Sequence, residues 1–351
     1  MGDRVDDDFL LVRTLLAATL AATGDSAPGL EWAAAVLRTQ AGPVVLLTSN
    51  EGRGWLPPGL FLPSEVTIPW KWDGGRVARR VFQRMEGTAA PARMLAELGV
   101  LIPRMKITAL VSSAAISENL RAALGDDVAL EGGVSAGQSA VDFGSPAPGL
   151  ADRLAIAGSA ESLKQAITVP DSEIRARCIE LARDADERVR AAGSASDLSI
   201  SASRAWRPQI LEALAAGRSV PVNWQEQRGP ATGVPAAMPL PGVDHFSGSV
   251  GVRRDVPEPE ARRAIVFERR VEELLFLLAA GEPDRQTLRD VLYAYGQITE
   301  HPQFPAAARV AVAADLDGAV PQFEGDRGVE VGSYAVRSAG HGGVLRPSPD
   351  Y

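Results

Sequence analysis

Two stripes of apolar residues with the period of an α-helix follow each other between residues 267 and 298. The first consists of Phe267, Val271, Leu274, Leu275 and Leu278, and the second of Leu288, Val291, Leu292, Tyr295 and Ile298. Gly281 and Pro283 lie between them, so the pattern predicts two helices joined as an antiparallel hairpin. Their apolar faces must meet each other or a third element. The alternative is that part of this face stays open as a groove for a partner helix.

The first 131 residues alternate between helical and extended patterns. They predict helices at 9–22, 31–40, 75–85, 92–98 and 116–124, and strands at 43–48, 65–70 and 106–112. The connection at 49–63 is rich in glycine and proline, and its ends are expected to pair as a long-looped hairpin. Residues 1–131 are therefore predicted to form a small α/β domain in which helices cover a sheet.

The rest of the chain is predicted to be mainly helical. Residues 132–150 are dominated by Gly, Ser, Ala and Pro, which is typical of a linker. Residues 151–351 then form a mainly α-helical domain, with one helix from 170–173 to Gly193, another at 306–315, and strands at most around 329–336. A Gly/Pro-rich loop at 225–259 is a functional loop, a tether or an arm that docks on a partner. The predicted fold class of the whole chain is mixed α+β.

The charge balance opposes a nucleic-acid partner. Thirty-six basic and forty-four acidic residues give a net charge of −8, which disfavours binding to a phosphate backbone. The densest basic group has helical spacing and is interpreted as a solvated helix face, with a phosphate site as the alternative. This group consists of Arg76, Arg79, Arg80 and Arg84.

The apolar stretch at 9–22 is the candidate for a membrane or export segment. It follows three aspartates and contains Arg13, whereas a signal peptide needs a basic start and a spanning helix needs about 20 apolar residues. We therefore expect no integral membrane segment and a cytoplasmic location. Export by a route that uses no cleavable signal peptide stays open.

The common catalytic and metal-binding motifs are missing from the sequence. There is no P-loop and no HExxH, and a single cysteine with three histidines leaves few ways to build a zinc site. Cys178 lies in a helical apolar stripe, which favours a buried structural thiol over a nucleophile. We expect no catalytic residue, no metal and no cofactor.

Residues 133–137 match the GxSxG pattern of serine hydrolases. That chemistry needs Ser135 on a strand-to-helix turn, followed along the chain by an acid and a histidine. Asp142 or Asp171, with His245 or His301, provide this order. The residues after Gly137 are rich in Gly and Pro and do not predict the helix. A serine hydrolase that uses Ser135 is kept as the alternative function because the residue order fits, although the predicted context does not.

The loop after the strand at 43–48 contains the candidate contact residues Glu51, Arg53 and Trp55. A loop that glycines fix in place, and that presents a charge pair and an indole, suits the recognition of a protein partner. The alternative is a structural turn with Trp55 packed in the core. Trp70 and Trp72 share one face if that segment is extended, either as a second contact surface or as core packing.

Residues 48–59 read TSNEGRGWLPPG and continue to Pro63. Together with the alanine- and arginine-rich second half, this segment resembles mycobacterial and actinobacterial proteins associated with type VII (ESX) secretion, in the manner of the C-terminal region of EspK-type proteins. The resemblance implies a cytosolic, chaperone-like accessory protein that binds a helical secretion substrate, and it carries over no catalytic residue. Proteins of this type usually have a long Pro-rich N-terminal region, so a shorter relative or a truncated chain is expected.

The layout of the first half also resembles the deaminase-like α/β fold. The HxE and PCxxC signatures of the zinc deaminases are absent from the sequence. The resemblance therefore implies a scaffold without zinc ligands that serves as a binding module. The predicted function is a non-catalytic, protein-binding accessory module.

Overall fold

Seven strands form two sheets in the computed structural model of the chain. They are β1 (Trp32–Thr39), β2 (Gly42–Ser49), β3 (Phe61–Pro63), β4 (Val66–Thr67), β5 (Lys106–Ser112), β6 (Ala129–Gly132) and β7 (Leu150–Asp152) among the described residues. Five of them form a mixed sheet in the order β4-β2-β1-β5-β6, and β3 pairs with β7. Within the larger sheet, β1 is antiparallel to β2 and β5, whereas β6 runs parallel to β5.

The structure describes residues 2–24, 29–71, 90–102, 105–137, 141–192, 198–218, 220, 259–302 and 304. All of them belong to one compact unit that spans Met1–Arg309. Several predictions lie outside the described residues. They concern the helix at 75–85 with its arginine group, Trp72, His245, positions 225–258 of the long loop, the helix at 306–315 and the strands around 329–336.

Nine helices accompany the sheets in the described part of the chain. They are α1 (Gly2–Thr23), α2 (Pro91–Leu101), α3 (Glu118–Leu124), α4 (Arg153–Ala157), α5 (Ala160–Thr168), α6 (Ile174–Ala191), α7 (Leu198–Ala215), α8 (Pro259–Ala279) and α9 (Arg285–Thr299). Short 3-10 turns lie at Gly52–Gly54 and Asp171–Glu173. The mixed α+β class with a helical C-terminal region is confirmed. None of the described helices has the length and apolar content needed to cross a membrane.

The alanine-rich segment at 31–40 is a strand, so the prediction of a helix there is wrong. As β1 it lies between β2 and β5, and both of its faces are buried. Trp32, Ala34 and Val36 face one core, whereas Ala33, Ala35 and Leu37 face another. Small side chains suit a central strand that helices cover on both faces, and this packing outweighs the helical propensity of alanine.

The ends of the 49–63 connection do not pair as a hairpin. Strand β2 forms its hairpin with β1, and its other neighbour, β4, runs parallel to it, with Val45 opposite Val66. The predicted strand at 65–70 shortens to Val66–Thr67, because the chain then turns and the Lys71 amide donates to the Ile68 carbonyl. A parallel neighbour needs a crossover connection, and the long Gly/Pro-rich segment provides it.

The helical hairpin predicted at 267–298 is confirmed as α8 and α9. Their apolar stripes are buried apart from Tyr295, which is half-buried, so the interpretation as core packing fits this face. Helix α6 packs against both of them. The same apolar core continues to Trp32 and Val36 on the sheet. Residues on both sides of the predicted linker at 132–150 thus contribute to one core.

Cys178 lies on the buried face of α6, as its helical spacing predicts, and burial raises the pKa of its thiol to about 12. Only the thiolate reacts quickly with iodoacetamide, and only local or global unfolding exposes it. We therefore expect alkylation of the folded protein to be at least about a thousandfold slower than alkylation of the unfolded chain. Mass spectrometry of the protein with and without urea measures this ratio. The chain has one cysteine, so every adduct reports on this site, and equal rates would contradict the buried placement.

Candidate functional site

The loop that follows β2 turns its predicted contact residues in different directions. Glu51 and Trp55 are 4% and 2% exposed, whereas Arg53 between them is half-buried. The contacts of Glu51 and Trp55 described below are made with helices of the same chain. Trp55 is therefore packed in the protein core, as in the alternative interpretation of this loop as a structural turn.

Glu51 is held by two arginines of α8. Its Oε2 accepts from Arg269 Nη1 at 2.8 Å, and its Oε1 accepts from Arg270 Nη2 at 2.8 Å. The carboxylate is buried and Arg270 is buried with it. Charge-assisted hydrogen bonds of this kind fix direction as well as distance. They pin the start of the loop to α8.

Trp55 fixes the other end of the loop on the same helix. Its indole Nε1 donates to Glu273 Oε2 at 3.0 Å, and the Arg270 guanidinium carbon lies 4.4 Å from the centre of its ring. Arg270 also donates to Glu273 at 2.9 Å. A cation over the face of an indole is attracted by the ring quadrupole, so Arg270 joins both ends of the loop.

Arg153, the first residue of α4, is the centre of the buried network that continues from Glu273. It donates to Glu273 and to Asp290 of α9, and its Nη1 donates to the Leu56 carbonyl at 3.1 Å. Tyr293 packs under its guanidinium and accepts from the Leu56 amide at 3.0 Å. Burial raises the pKa of Asp290, although Arg153 acts in the opposite direction. The buried network therefore ties the loop to α4, α8 and α9.

Two glycines leave Arg53 as the side chain at the tip of this loop. A Cβ on Gly52 would lie 2.9 Å from the Val266 side chain, and a Cβ on Gly54 would lie 2.7 Å from Thr48 Oγ1. Arg53 itself has φ 56° and ψ 31°, the left-handed conformation that costs a non-glycine residue about 1–2 kcal/mol. The anchors on either side hold this conformation in place.

Arg53 contributes to a pocket of about 80 Å³ on the surface of the described part of the chain. Its walls come from the 51–56 loop, the turn after β4, the α4–α5 connection with the start of α5, and the end of α9. We call it the Arg53 pocket. The residues that line it are Arg53, Trp70, Lys71, Ala157, Gly158, Ser159, Ser162, Leu292, Tyr293, Gly296, Gln297 and Glu300.

The described residues that line the Arg53 pocket include two cations and one carboxylate. Partial burial lowers the pKa of Lys71, the Glu300 carboxylate raises it, and the nearby Arg53 lowers it. Glu300 accepts from the Ser162 hydroxyl at 3.3 Å, and the Ser159 hydroxyl caps α5 by accepting from the Ser162 amide at 3.1 Å. The described lining of the pocket is therefore largely polar.

The other sequence candidates lie elsewhere or in different settings. Ser135 is exposed in an irregular segment after β6, and the described residues that follow it contain no helix before α4. His301 is buried, with its ring edge-on to Phe267. Trp70 lies in a turn, so the segment is not extended at that residue, and Trp72 lies outside the described residues. No cluster of three or more potential metal-ligating side chains occurs within the described ranges.

Sequence reasoning missed both the buried network and most of the pocket. One signal was present, since Arg270 and Glu273 follow Phe267 at steps of three and fall on the apolar side of α8. Charged residues at such positions need buried partners of opposite charge. Lys71, Ser159 and Glu300 gave no such signal, because segments far apart in the sequence bring them together.

No protein-family model matches the chain, and no curated protein matches it.

Proposed function

We propose that the chain is a non-catalytic, chaperone-like accessory module that binds a protein partner through the surface around the Arg53 pocket. The partner we propose is a helical substrate of type VII secretion, met on the cytoplasmic side. The secretion context rests on the sequence resemblance of the 48–63 loop. The binding role rests on the pocket, because Arg53 is the predicted contact residue that lines it.

The size and polarity of the Arg53 pocket favour recognition of a protein over turnover of a metabolite. Pockets for small molecules usually have volumes of about 300–1,000 Å³ and mostly apolar walls. A polar pocket of about 80 Å³ accommodates one side-chain group. Such a pocket serves as an anchor point within a larger protein interface.

The buried network below the loop supports the same function. It fixes the 51–56 loop before any partner arrives, so little conformational entropy remains to be lost on binding. Glu51, Trp55 and Arg153 contribute to recognition by positioning the loop, and Arg53 contributes by contact. The proposal thus differs from the sequence-based prediction, in which Glu51, Arg53 and Trp55 all contact the partner.

The substitution Arg53→Gly is tested by purifying the tagged protein from an actinobacterial lysate. We expect recovery of type VII substrates to fall at least about tenfold, because a hydrogen bond to a charged group is worth about 1.5–3 kcal/mol. Glycine accepts the left-handed backbone, so the melting temperature is expected to stay within about 2 °C, because relief of strain offsets the added chain entropy. Quantitative mass spectrometry and thermal melting measure the two effects.

The matched control is Arg93→Ala, which removes an exposed arginine that pairs with Glu97 on α2. It should leave substrate recovery unchanged. Recovery that is equally high with Arg53→Gly would contradict the placement of the contact surface. Failure to retain any type VII substrate on the unaltered protein would contradict the proposed function itself.

A further inference from the structure

We propose that buried ion pairs on two flanks of α8 select the register of this helix against a placement that is shifted along its axis by about one turn. One flank faces the 51–56 loop and Arg153, through the contacts described above. The other flank faces α6 and α7. Because α8 holds the 51–56 loop, the selected register also fixes the position of Arg53. The inference does not depend on the proposed function.

Arg207 of α7 is the centre of the contacts on the second flank. It is 1% exposed, and its Nη1 lies 2.6 Å from Glu268 Oε2 and 3.3 Å from Asp186 Oδ1. Its Nη2 donates to Glu272 Oε1 at 3.4 Å. Arg204 also donates to Glu268, from its Nε at 2.8 Å. Glu268 and Glu272 are buried on consecutive turns of α8, so these pairs hold both turns against α7.

The apolar stripe of α8 distinguishes the two registers only near the end of the helix. After a shift by four residues, valine or leucine lies at the positions of Phe267, Val271 and Leu274. These positions stay apolar because residues four apart share one face of a helix. Only the last two positions of the stripe change character, since Ala279 and Glu282 move into them.

The connection between α8 and α9 is long enough for the shift. Four residues correspond to about 6 Å along the helix axis, at 1.5 Å per residue. Residues 280–284 join the two helices, and an extended segment of this length spans about 16–18 Å. Packed helices lie about 8–10 Å apart, so this segment reaches across the added displacement.

The buried charges distinguish the two registers clearly. After the shift, leucines lie at the positions of Arg270 and Glu273, and a phenylalanine lies at that of Glu272. Glu51 and Arg153 then face apolar side chains in place of opposite charges. Loss of a partner destabilises a buried charge strongly, and fixing the register of a helix is an attested role of buried polar groups. The ion pairs therefore favour the observed register.

Three variants of the full chain test the inference. Arg270→Met with Glu51→Gln removes pairs on the loop side, and Arg207→Met with Glu272→Gln removes pairs on the α7 side. The third variant combines all four substitutions. Each pair of substitutions removes one cation and one carboxylate, so the charge balance is kept. Val271→Ala is the control, because it weakens the apolar packing of α8 and leaves every charge in place.

Double electron–electron resonance between two nitroxide labels measures the register in frozen samples. One label is attached at Arg263→Cys on α8, and the other at Glu180→Cys on α6 or at Arg93→Cys on α2. Glu180 and Arg93 are exposed, and Arg263 is half-buried. The single native cysteine is removed by Cys178→Ala. Two reference positions are used so that a movement along the axis of α8 changes at least one distance.

We expect one distance population in the labelled chain without further substitutions, in both two-residue variants and in Val271→Ala. In the two-residue variants the remaining flank still selects the register. In the four-residue variant we expect a folded protein with a second population, displaced by up to about 6 Å. Val271→Ala should lower the melting temperature without a second population, which separates register selection from a simple loss of stability.

The inference is overturned if the four-residue variant is folded and keeps a single population at the original distances. It is also overturned if that variant does not fold, as judged by circular dichroism, because the ion pairs would then provide stability and not selection. A second population in Val271→Ala would show that apolar packing sets the register. Each of these results is independent of whether a type VII substrate is recovered with the chain.

Discussion

Replacement of Arg153 by methionine is expected to lower the free energy of unfolding by about 3–5 kcal/mol, because it leaves the buried carboxylate of Asp290 without its cation and Glu273 with Arg270 in place of two arginines. Glu273 and Asp290 both lose their hydrogen bonds to Arg153, and the Leu56 carbonyl loses one as well. Arg153 is 1% exposed, so solvent does not take over these contacts. Urea denaturation followed by circular dichroism measures the change.

The matched control for Arg153 is Arg93→Met, which removes an exposed pair with Glu97 and should cost no more than about 0.5 kcal/mol. The pH dependence provides a second check. Burial already raises the folded-state pKa of Asp290, and loss of Arg153 raises it further. A carboxyl group with a raised folded-state pKa gains stability as pH falls through that pKa, so the deficit should shrink in acid. A deficit below about 1 kcal/mol, or one independent of pH, would contradict the role of Arg153 as the centre of the network.

The elements that the sequence predicts well are those whose pattern has a single interpretation. Strand β5 matches the predicted 106–112, and the α8–α9 hairpin follows from two apolar stripes with a clear helical period. Segment 31–40 fails because alanine carries little information about which face is buried. Its alternation becomes visible only once β2 and β5 lie on either side of it. Long-range pairing decides such a segment, and local propensity does not.

The site was predicted in part, and for a physical reason. The glycines around Arg53 indicate a loop of fixed shape, and this signal located the segment. Whether Glu51 and Trp55 point inward depends on Arg269, Arg270 and Glu273, which lie about two hundred residues further along the chain. No local pattern records those partners. The pocket is likewise an assembly of distant segments, so its composition follows from the fold alone.

Replacement of Trp55 by alanine is expected to cost about 3–5 kcal/mol of folding free energy, the range for removal of a buried aromatic side chain. The change opens a cavity, removes the ring that stacks on Arg270, and takes away the donor to Glu273 Oε2. Trp55→Phe keeps a ring under Arg270 and loses the indole donor, so it should cost less, about 1–3 kcal/mol. Chemical denaturation of both variants measures the two steps.

Trp206→Ala is the control for Trp55, because that indole on α7 is 44% exposed and its loss should change stability by no more than about 0.5 kcal/mol. The comparison decides between two roles for Trp55. If Trp55 positions the loop, the Trp55→Phe variant should lose less substrate binding than the Arg53→Gly variant, because the loop is loosened but Arg53 is still present. If Trp55→Ala instead abolishes binding while stability is unchanged, the indole itself contacts the partner and must leave the core to do so.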